Sequence, residues 1–426
     1  MSKAETLFSF PFLLVFFLMS PCSPWSSISR AMATTAPQSR SEAPRVFRLD
    51  GRQLAETKRR LAAGDQSLSG AVGRLDADAR AALKAGPFSV VDKTVLPPSG
   101  DKHDYMSQAP YFWPNPDTAN HLPYVRRDGE RNPEIEKIPD HQSFGKLMSA
   151  TETLALAYYF KGDEAYAAKA AQLLRVWFLD AATRMNPHLN YGQAIPGVNQ
   201  GRGIGIIETS GLPKVVDAVG LLAGSKSWTK ADQQGLESWF EKYLQWLLDS
   251  KHGRDEAAQK NNHGTYYDVQ VASFAFFTGK RDLAAKILRE SIEKRIAAQI
   301  EPDGRQPLEL ARTKAWSYSV GNLSGFFAAA ALAENTGTDL WNYVTPDGRG
   351  IRKALDWLVP FAAGEKKWTH QQITSWSPAE LAPLLRQASI KYHDSKYEEV
   401  MARMAGVGPA DRINLIYPRG SAEKRP

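Results

Sequence analysis

The sequence is short of the features that most quickly assign a chain to a class. Cys22 is the lone cysteine among 426 residues, so no intrachain disulfide can staple the fold and stability must come from packing. An excess of one charge is also lacking. Lys and Arg number 53 against 46 Asp and Glu, a net charge of +7. That balance suits an acidic polymer but does not mark a nucleic-acid binder. Hydrophobic residues at 43% and charged residues at 23% exclude a disordered chain.

Long apolar runs are missing beyond residues 7–19. That run follows Lys3, is too short to span a bilayer comfortably as a helix, and is trailed by Ala31-Met32-Ala33, a small-x-small cleavage pattern. Residues 1–33 are therefore expected to be a secretory signal peptide, with a membrane anchor as the alternative. Residues 34–45, rich in Ser, Pro and Ala, read as a linker, and 46–426 as one domain. Export to the periplasm or the medium follows, with no membrane attachment once the signal is removed. Strand patterns are sparse, Leu415-Ile416-Tyr417 being the clearest. Around His103, Asp104, Asp140 and His141 no metalloprotease or zinc-finger spacing occurs, so neither a metal nor another cofactor is expected. The glycines of Gly201-Arg202-Gly203-Ile204-Gly205 follow no strand, which removes a dinucleotide reading.

What is present is helix. Residues 50–63 and 71–85 carry short helical patterns, and a proline-rich stretch with many Tyr, Trp and His follows over 87–139. Beyond Asp140, Leu147, Leu154, Ala155, Tyr158 and Tyr159 share one face, and after Gly162 a second stripe runs through Ala168, Leu173, Leu174 and Trp177. Phe160-Lys161-Gly162 with Ala167-Ala168-Lys169 recurs as Phe277-Thr278-Gly279 with Ala284-Ala285-Lys286. Gly224 and Gly337 also follow apolar helices, so glycines recur at intervals of about sixty residues. Such a period fits stacked helical hairpins, none able to bury its inner face alone. The fold expected is all-α, an α/α toroid or incomplete barrel of hairpins, with 87–139 covering one mouth.

Two segments put polar groups where a core helix should be apolar. Lys260-Asn261-Asn262-His263-Gly264 leads into an apolar helix, and Glu309-Leu310-Ala311-Arg312 with Tyr318 leads into another. Taken singly these are caps, a salt bridge and a packed aromatic. Together, amide, imidazole, guanidinium and phenol are what β-elimination on a uronate needs, because the C5 proton is weakly acidic until the adjacent carboxylate is neutralised. Asn262 and Arg312 could bind that carboxylate. Tyr318 could take the C5 proton and then protonate the departing O4. His263 could tune the phenol, help neutralise the carboxylate, or act as base where proton and leaving group lie on opposite faces.

Asn261-Asn262-His263, Glu309-Leu310-Ala311-Arg312 and Tyr318 resemble the alginate lyase superfamily of polysaccharide lyases. So do the blocks from Asp101-Lys102-His103-Asp104-Tyr105 through Pro110-Tyr111-Phe112-Trp113-Pro114 to Leu122-Pro123-Tyr124-Val125-Arg126-Arg127-Asp128-Gly129. The resemblance implies an α/α toroid, an acidic polysaccharide as partner, and catalytic roles for Asn262, His263, Arg312 and Tyr318. Arg312 and Tyr318 are six residues apart, not the seven of the best-known members; six residues turn about 600°, so part of 312–318 is expected to be non-helical. That spacing is similar to polysaccharide lyase family 38, which acts on glucuronan and alginate. Candidate substrate-binding residues are Tyr105, Tyr111, Trp113 and Tyr124 as stacking surfaces, Arg202 for a carboxylate, and Glu208 for a hydroxyl or Arg312. Aromatics in a proline-rich segment more often pin that segment to the core. Rival readings are a glycoside hydrolase on the same toroid, drawing on Asp104, Asp128, Glu152 or Glu208, and a noncatalytic binder of acidic glycans. The sequence carries no signal for oligomeric state.

Overall fold

The structure, a computed structural model, describes residues 43–419; the expected signal peptide and most of the expected linker lie outside the described residues. Helices α1 (Gly51–Ala62) and α2 (Ser69–Ala82) come first, and after the proline-rich segment come α3 (Asp140–Lys161) and α4 (Glu164–Leu174). Then follow α5 (Leu212–Leu221), α6 (Lys230–Asp249), α7 (Lys251–Ala257), α8 (Asn262–Phe277) and α9 (Arg281–Ser291). The chain finishes with α10 (Pro307–Leu310), α11 (Ala315–Ala333), α12 (Ile351–Ala362), α13 (Ala382–Lys391), α14 (Lys396–Arg403) and α15 (Ile413–Ile416).

Gly162, Gly224, Gly279 and Gly337 all adopt the left-handed conformation, with φ of 73°, 86°, 77° and 75°. Each stops a helix at the cost only glycine avoids, and the next helix turns back. The helices divide into two layers for a reason visible in their composition. α5, α8 and α11 are apolar nearly all round and, with the apolar C-terminal half of α3, pack successively on one another, while α9 and α12 are apolar on one side only and pack against α8 and α11. This is the α/α toroid. Its core is aromatic: Phe144 stacks on Trp177 at 5.0 Å, and Phe240 meets Phe274 at 4.9 Å. Truncating such a ring to alanine costs roughly 3–5 kcal/mol.

The two ends of the chain meet. α15 packs on α1 and α2, and Arg412 reaches Thr153 Oγ1 at 3.1 Å and Asp78 Oδ2 at 3.3 Å. The amides of Phe47 and Leu49 donate to the buried Asp217 carboxylate of α5 at 2.7 and 3.0 Å, which fastens the N-terminal strand of chain to the toroid. Residues 415–417 are not a strand: the Asp411 carboxylate caps the Ile413 amide at 2.9 Å and starts a helical turn instead.

The proline-rich segment carries most of the strands. β1 (Met106–Gln108) pairs in parallel with β4 (Tyr191–Ala194), and β2 (Phe112–Trp113) pairs antiparallel with β3 (Val125–Arg126). The segment is anchored on α3, where Lys93 and the Met106 amide both reach Asp140, at 2.9 and 3.0 Å. Burial pushes the Asp140 carboxyl up to about 6 despite the opposing Lys93 charge. The same segment then crosses to the gap between α10 and α11. Among the described residues no helix is long and apolar enough to cross a membrane.

Candidate active site

Every residue of α8 is buried except His263 and Tyr266, so the helix delivers one imidazole from a packed support. Its first residue is clamped from α10. The Asn262 amide N–H donates to Glu309 Oε1 at 2.7 Å, and Asn262 Nδ2 donates to Oε2 at 2.8 Å. This bidentate clamp satisfies an orphan donor of the helix start and fixes the side-chain amide, leaving its second N–H to project. Burial raises the Glu309 pKa against the opposing pull of the Asn262 bonds and of the Arg312 and His263 charges. Glu309 therefore lies among all three. His263 Nδ1 sits 2.7 Å from Glu256 Oε1 on α7, so the ring's other nitrogen, Nε2, is the one left to face outward.

Between α10 and α11 the chain is not helical, as the six-residue spacing predicted. The break is held by pairing with a distant loop, Ala315 N–H to Gln371 O at 3.1 Å and Ile373 N–H to Thr313 O at 2.9 Å. It swings Arg312 onto the face of Tyr318, with the guanidinium carbon 3.8 Å from the ring centroid. Arg312 Nε and Nη2 grip the Asp128 carboxylate at 3.0 and 2.8 Å, while Thr313 Oγ1 donates to the Asp128 carbonyl at 2.9 Å. Burial works to raise the Asp128 pKa, yet hydrogen bonds from Arg312 and the Thr313 amide outweigh it and hold the carboxyl at about 2. The Tyr318 hydroxyl donates to the Tyr111 hydroxyl at 2.9 Å. Burial first, and then this bond, push the Tyr318 phenol up, while the Arg312 charge pulls it down.

The structure thus joins Asn262, His263, Arg312, Tyr318 and Tyr111 in one cluster. Arg312 spends two nitrogens on Asp128, so only Nη1 remains for a substrate carboxylate. The other residues expected at the site divide. Tyr105 is fully buried, its hydroxyl 2.7 Å from Glu208 Oε2, so it cannot stack on a sugar and instead pins the proline-rich segment to the core. Glu208 meets hydroxyls, those of Tyr105 and Ser107, and not Arg312; Ser107 Oγ lies 2.6 Å from it. Burial brings Arg202 down to about 10, and it lies 5.1 Å over the Phe112 ring with Nη2 on Gln193 Oε1 at 2.8 Å. Trp113 is half-buried and Tyr124 donates to Glu134 at 2.7 Å. A cavity of about 150 Å³ opens beside Pro110, next to Tyr111, lined by Glu208, His141, Gln193 and Arg131.

Sequence reasoning missed Glu256 and Glu309 and named Asp128 only as a hydrolase candidate. An acid between two leucines in Leu308-Glu309-Leu310 is a signal that could have found Glu309; nothing in the sequence links Glu256 to His263.

A helical toroid presenting amide, imidazole, guanidinium and phenol at one mouth is the framework of a polysaccharide lyase. The alginate lyase family model matches residues 89–368, more than half of the chain, and the chain belongs to that family. A crystal structure of an alginate lyase from Bacteroides ovatus is 43% identical with a TM-score of 0.84, over 88% of this chain and 99% of that one. Alginate lyase A1-III from Sphingomonas species A1 shares the fold at 14% identity and a TM-score of 0.57, over 88% of this chain and 96% of that one. A histidine-to-alanine variant of A1-III complexed with a tetrasaccharide gives 15% identity and a TM-score of 0.59, over 90% and 98% of the two chains. No curated protein matches the chain.

Proposed function

We propose that this lyase cleaves an acidic polyuronate, of the alginate or glucuronan kind, by β-elimination with Tyr318 as the proton carrier. The observation that carries the reading is the Tyr318 phenol stacked under Arg312 at 3.8 Å, in the cluster that also holds Asn262 and His263. The polysaccharide substrate is supported by the alginate lyases the chain is similar to, one of them complexed with a tetrasaccharide.

In this mechanism the free N–H of Asn262, Nε2–H of a His263 ring protonated on both nitrogens, and Arg312 Nη1–H donate to the uronate carboxylate. Neutralising it lowers the cost of charge building at C5; one such donor is worth about 3 kcal/mol in a water-poor site. Tyr318 acts as base in its ionised form, a minor state that the Arg312 charge favours against burial; it takes the C5 proton, and the electron pair becomes the C4–C5 double bond. The C4–O4 bond breaks, and O4 recovers the proton from Tyr318. A positioned acid and base of this sort contributes about 10²–10⁴ in rate. The balance closes without an electron carrier. The cavity beside Tyr111 would take a neighbouring sugar, with Glu208 reading a hydroxyl and Arg202 supporting Gln193. The apolar run over residues 7–19, trailed by Ala31-Met32-Ala33, favours export to the periplasm or medium.

A hydrolase is less well supported, because the site's carboxylates are engaged. Both oxygens of Glu309 serve Asn262, and Asp128 serves Arg312 and Thr313. The test is incubation of the purified protein with alginate, polymannuronate, polyguluronate and glucuronan while following ultraviolet absorbance of the unsaturated product. A rise on one polymer supports the proposal and names the substrate; new reducing ends without absorbance would overturn it in favour of hydrolysis.

A further inference from the structure

Glu256 lies outside the four residues to which the proposed chemistry is given, yet it is a fully buried acid in contact with one of them. The residue has 0% exposure, its Oε1 is 2.7 Å from His263 Nδ1, and its Oε2 is buried with no hydrogen-bond partner among the described residues. An acid kept for stability would be expected to have both oxygens satisfied, since an unpaired buried polar atom costs about 1–3 kcal/mol. Here the one partner is the imidazole, one of two half-buried side chains on an otherwise buried helix.

The surroundings hold this pair at its separation. Arg295, itself 4% exposed, ties the α7 to α8 connection from below: its Nη2 and Nη1 donate to the carbonyls of Ala257 and Gln259 at 2.8 and 2.7 Å, and its Nε donates to Asp268 of α8 at 2.9 Å. Gly264 leaves room for that guanidinium, because a Cβ there would run into Arg295 and the Gln259 carbonyl. On the other side Gly203 packs close against the Glu256 backbone N–H and Asp255, where a Cβ would collide with α7. One cation thus braces both ends of the connection that separates Glu256 from His263.

We infer that Glu256 is a positioning residue: its carboxylate accepts from His263 Nδ1–H, fixing the ring's rotation and favouring the form protonated on both nitrogens, so that Nε2–H donates to the substrate carboxylate. The inference rests on His263 working in the proposed elimination. Glu256 acts only through that ring.

The test is a double-mutant cycle on the full chain with whichever polymer the wild type cleaves, with folding checked by melting temperature. His263→Ala should lower kcat by itself; full activity in that variant would overturn the reading of the site before Glu256 is reached. Glu256→Leu should lower kcat by about 10–100-fold with KM nearly unchanged, and Glu256→Gln, which keeps an acceptor oxygen, should recover most of the rate. In the His263→Ala background, Glu256→Leu should cost nothing further. An additive loss there, or an undiminished rate in folded Glu256→Leu, would overturn the positioning role and leave the rest of the site standing. If Glu256→Leu does not fold, ¹⁵N chemical shifts of the wild-type ring decide: both ring nitrogens protonated supports the inference, either one bare overturns it.

Discussion

Arg312 and Tyr318 face each other at 3.8 Å, guanidinium over ring, across a break in the chain that a regular helix would not allow. On an unbroken helix the two would point about 120° apart. The stack gives the phenol a permanent cation beside it, and Asp128 holds that cation in place.

Tyr318→Phe keeps the ring and the stack but removes the proton carrier. We expect kcat to fall by about 10³ while polymer binding, measured by isothermal titration, persists. Retention of more than a tenth of the rate would remove Tyr318 from the mechanism.

Tyr111→Phe deletes only the hydroxyl that meets Tyr318 at 2.9 Å. The expected loss in kcat is about tenfold, with none added when Tyr318 is already Phe. Independent, multiplying losses in the steady-state kinetics would show that the two hydroxyls do not act as a pair.

Asp128 sets a pH expectation. Its folded pKa of about 2 lies below the ordinary carboxylate value, so its stabilising contribution is complete above pH about 4 and is lost as pH falls through about 2. Asp128→Asn should therefore flatten the fall in melting temperature over that acid window, and at neutral pH cost roughly 1–3 kcal/mol. Any acid limb in activity above pH 4 belongs to another group, and its displacement in Asp128→Asn would contradict this assignment.

Gly264→Ala adds one methyl group between the Gln259 carbonyl and Arg295. The overpacking should cost about 3 kcal/mol, read as a lower denaturation midpoint. Because His263 is the preceding residue, kcat should fall as well, at temperatures where the variant is fully folded.

Much of this was legible in the sequence, for physical reasons that differ between elements. The glycine turns at 162, 224, 279 and 337 could be read because a left-handed residue is a local demand that few side chains meet. The interruption before Tyr318 followed from helical geometry once the family resemblance asked Arg312 and Tyr318 to serve one site. The pairing of Asp128 with Arg312 spans 184 residues, and no local pattern encodes it. Tyr105 was misjudged because an aromatic in a proline-rich stretch looks the same whether it faces sugar or core; the Glu208 carboxylate that buries its hydroxyl lies 103 residues away. Residues 415–417 looked like a strand because three apolar residues fit either period, and the capping Asp411 decided the matter.

The junction of α15 with α1 and α2 bears on how the molecule assembles. Each glycine-ended hairpin can close through neighbours in sequence, whereas Arg412 and Asp78 are 334 positions apart, so their meeting carries a far larger loop-closure cost than a hairpin's. The hairpins are expected to form first and the junction last. A chain cut before Asp411 should keep its helical circular dichroism while amides of α1 and α2 exchange early, the behaviour of a ring left unclasped.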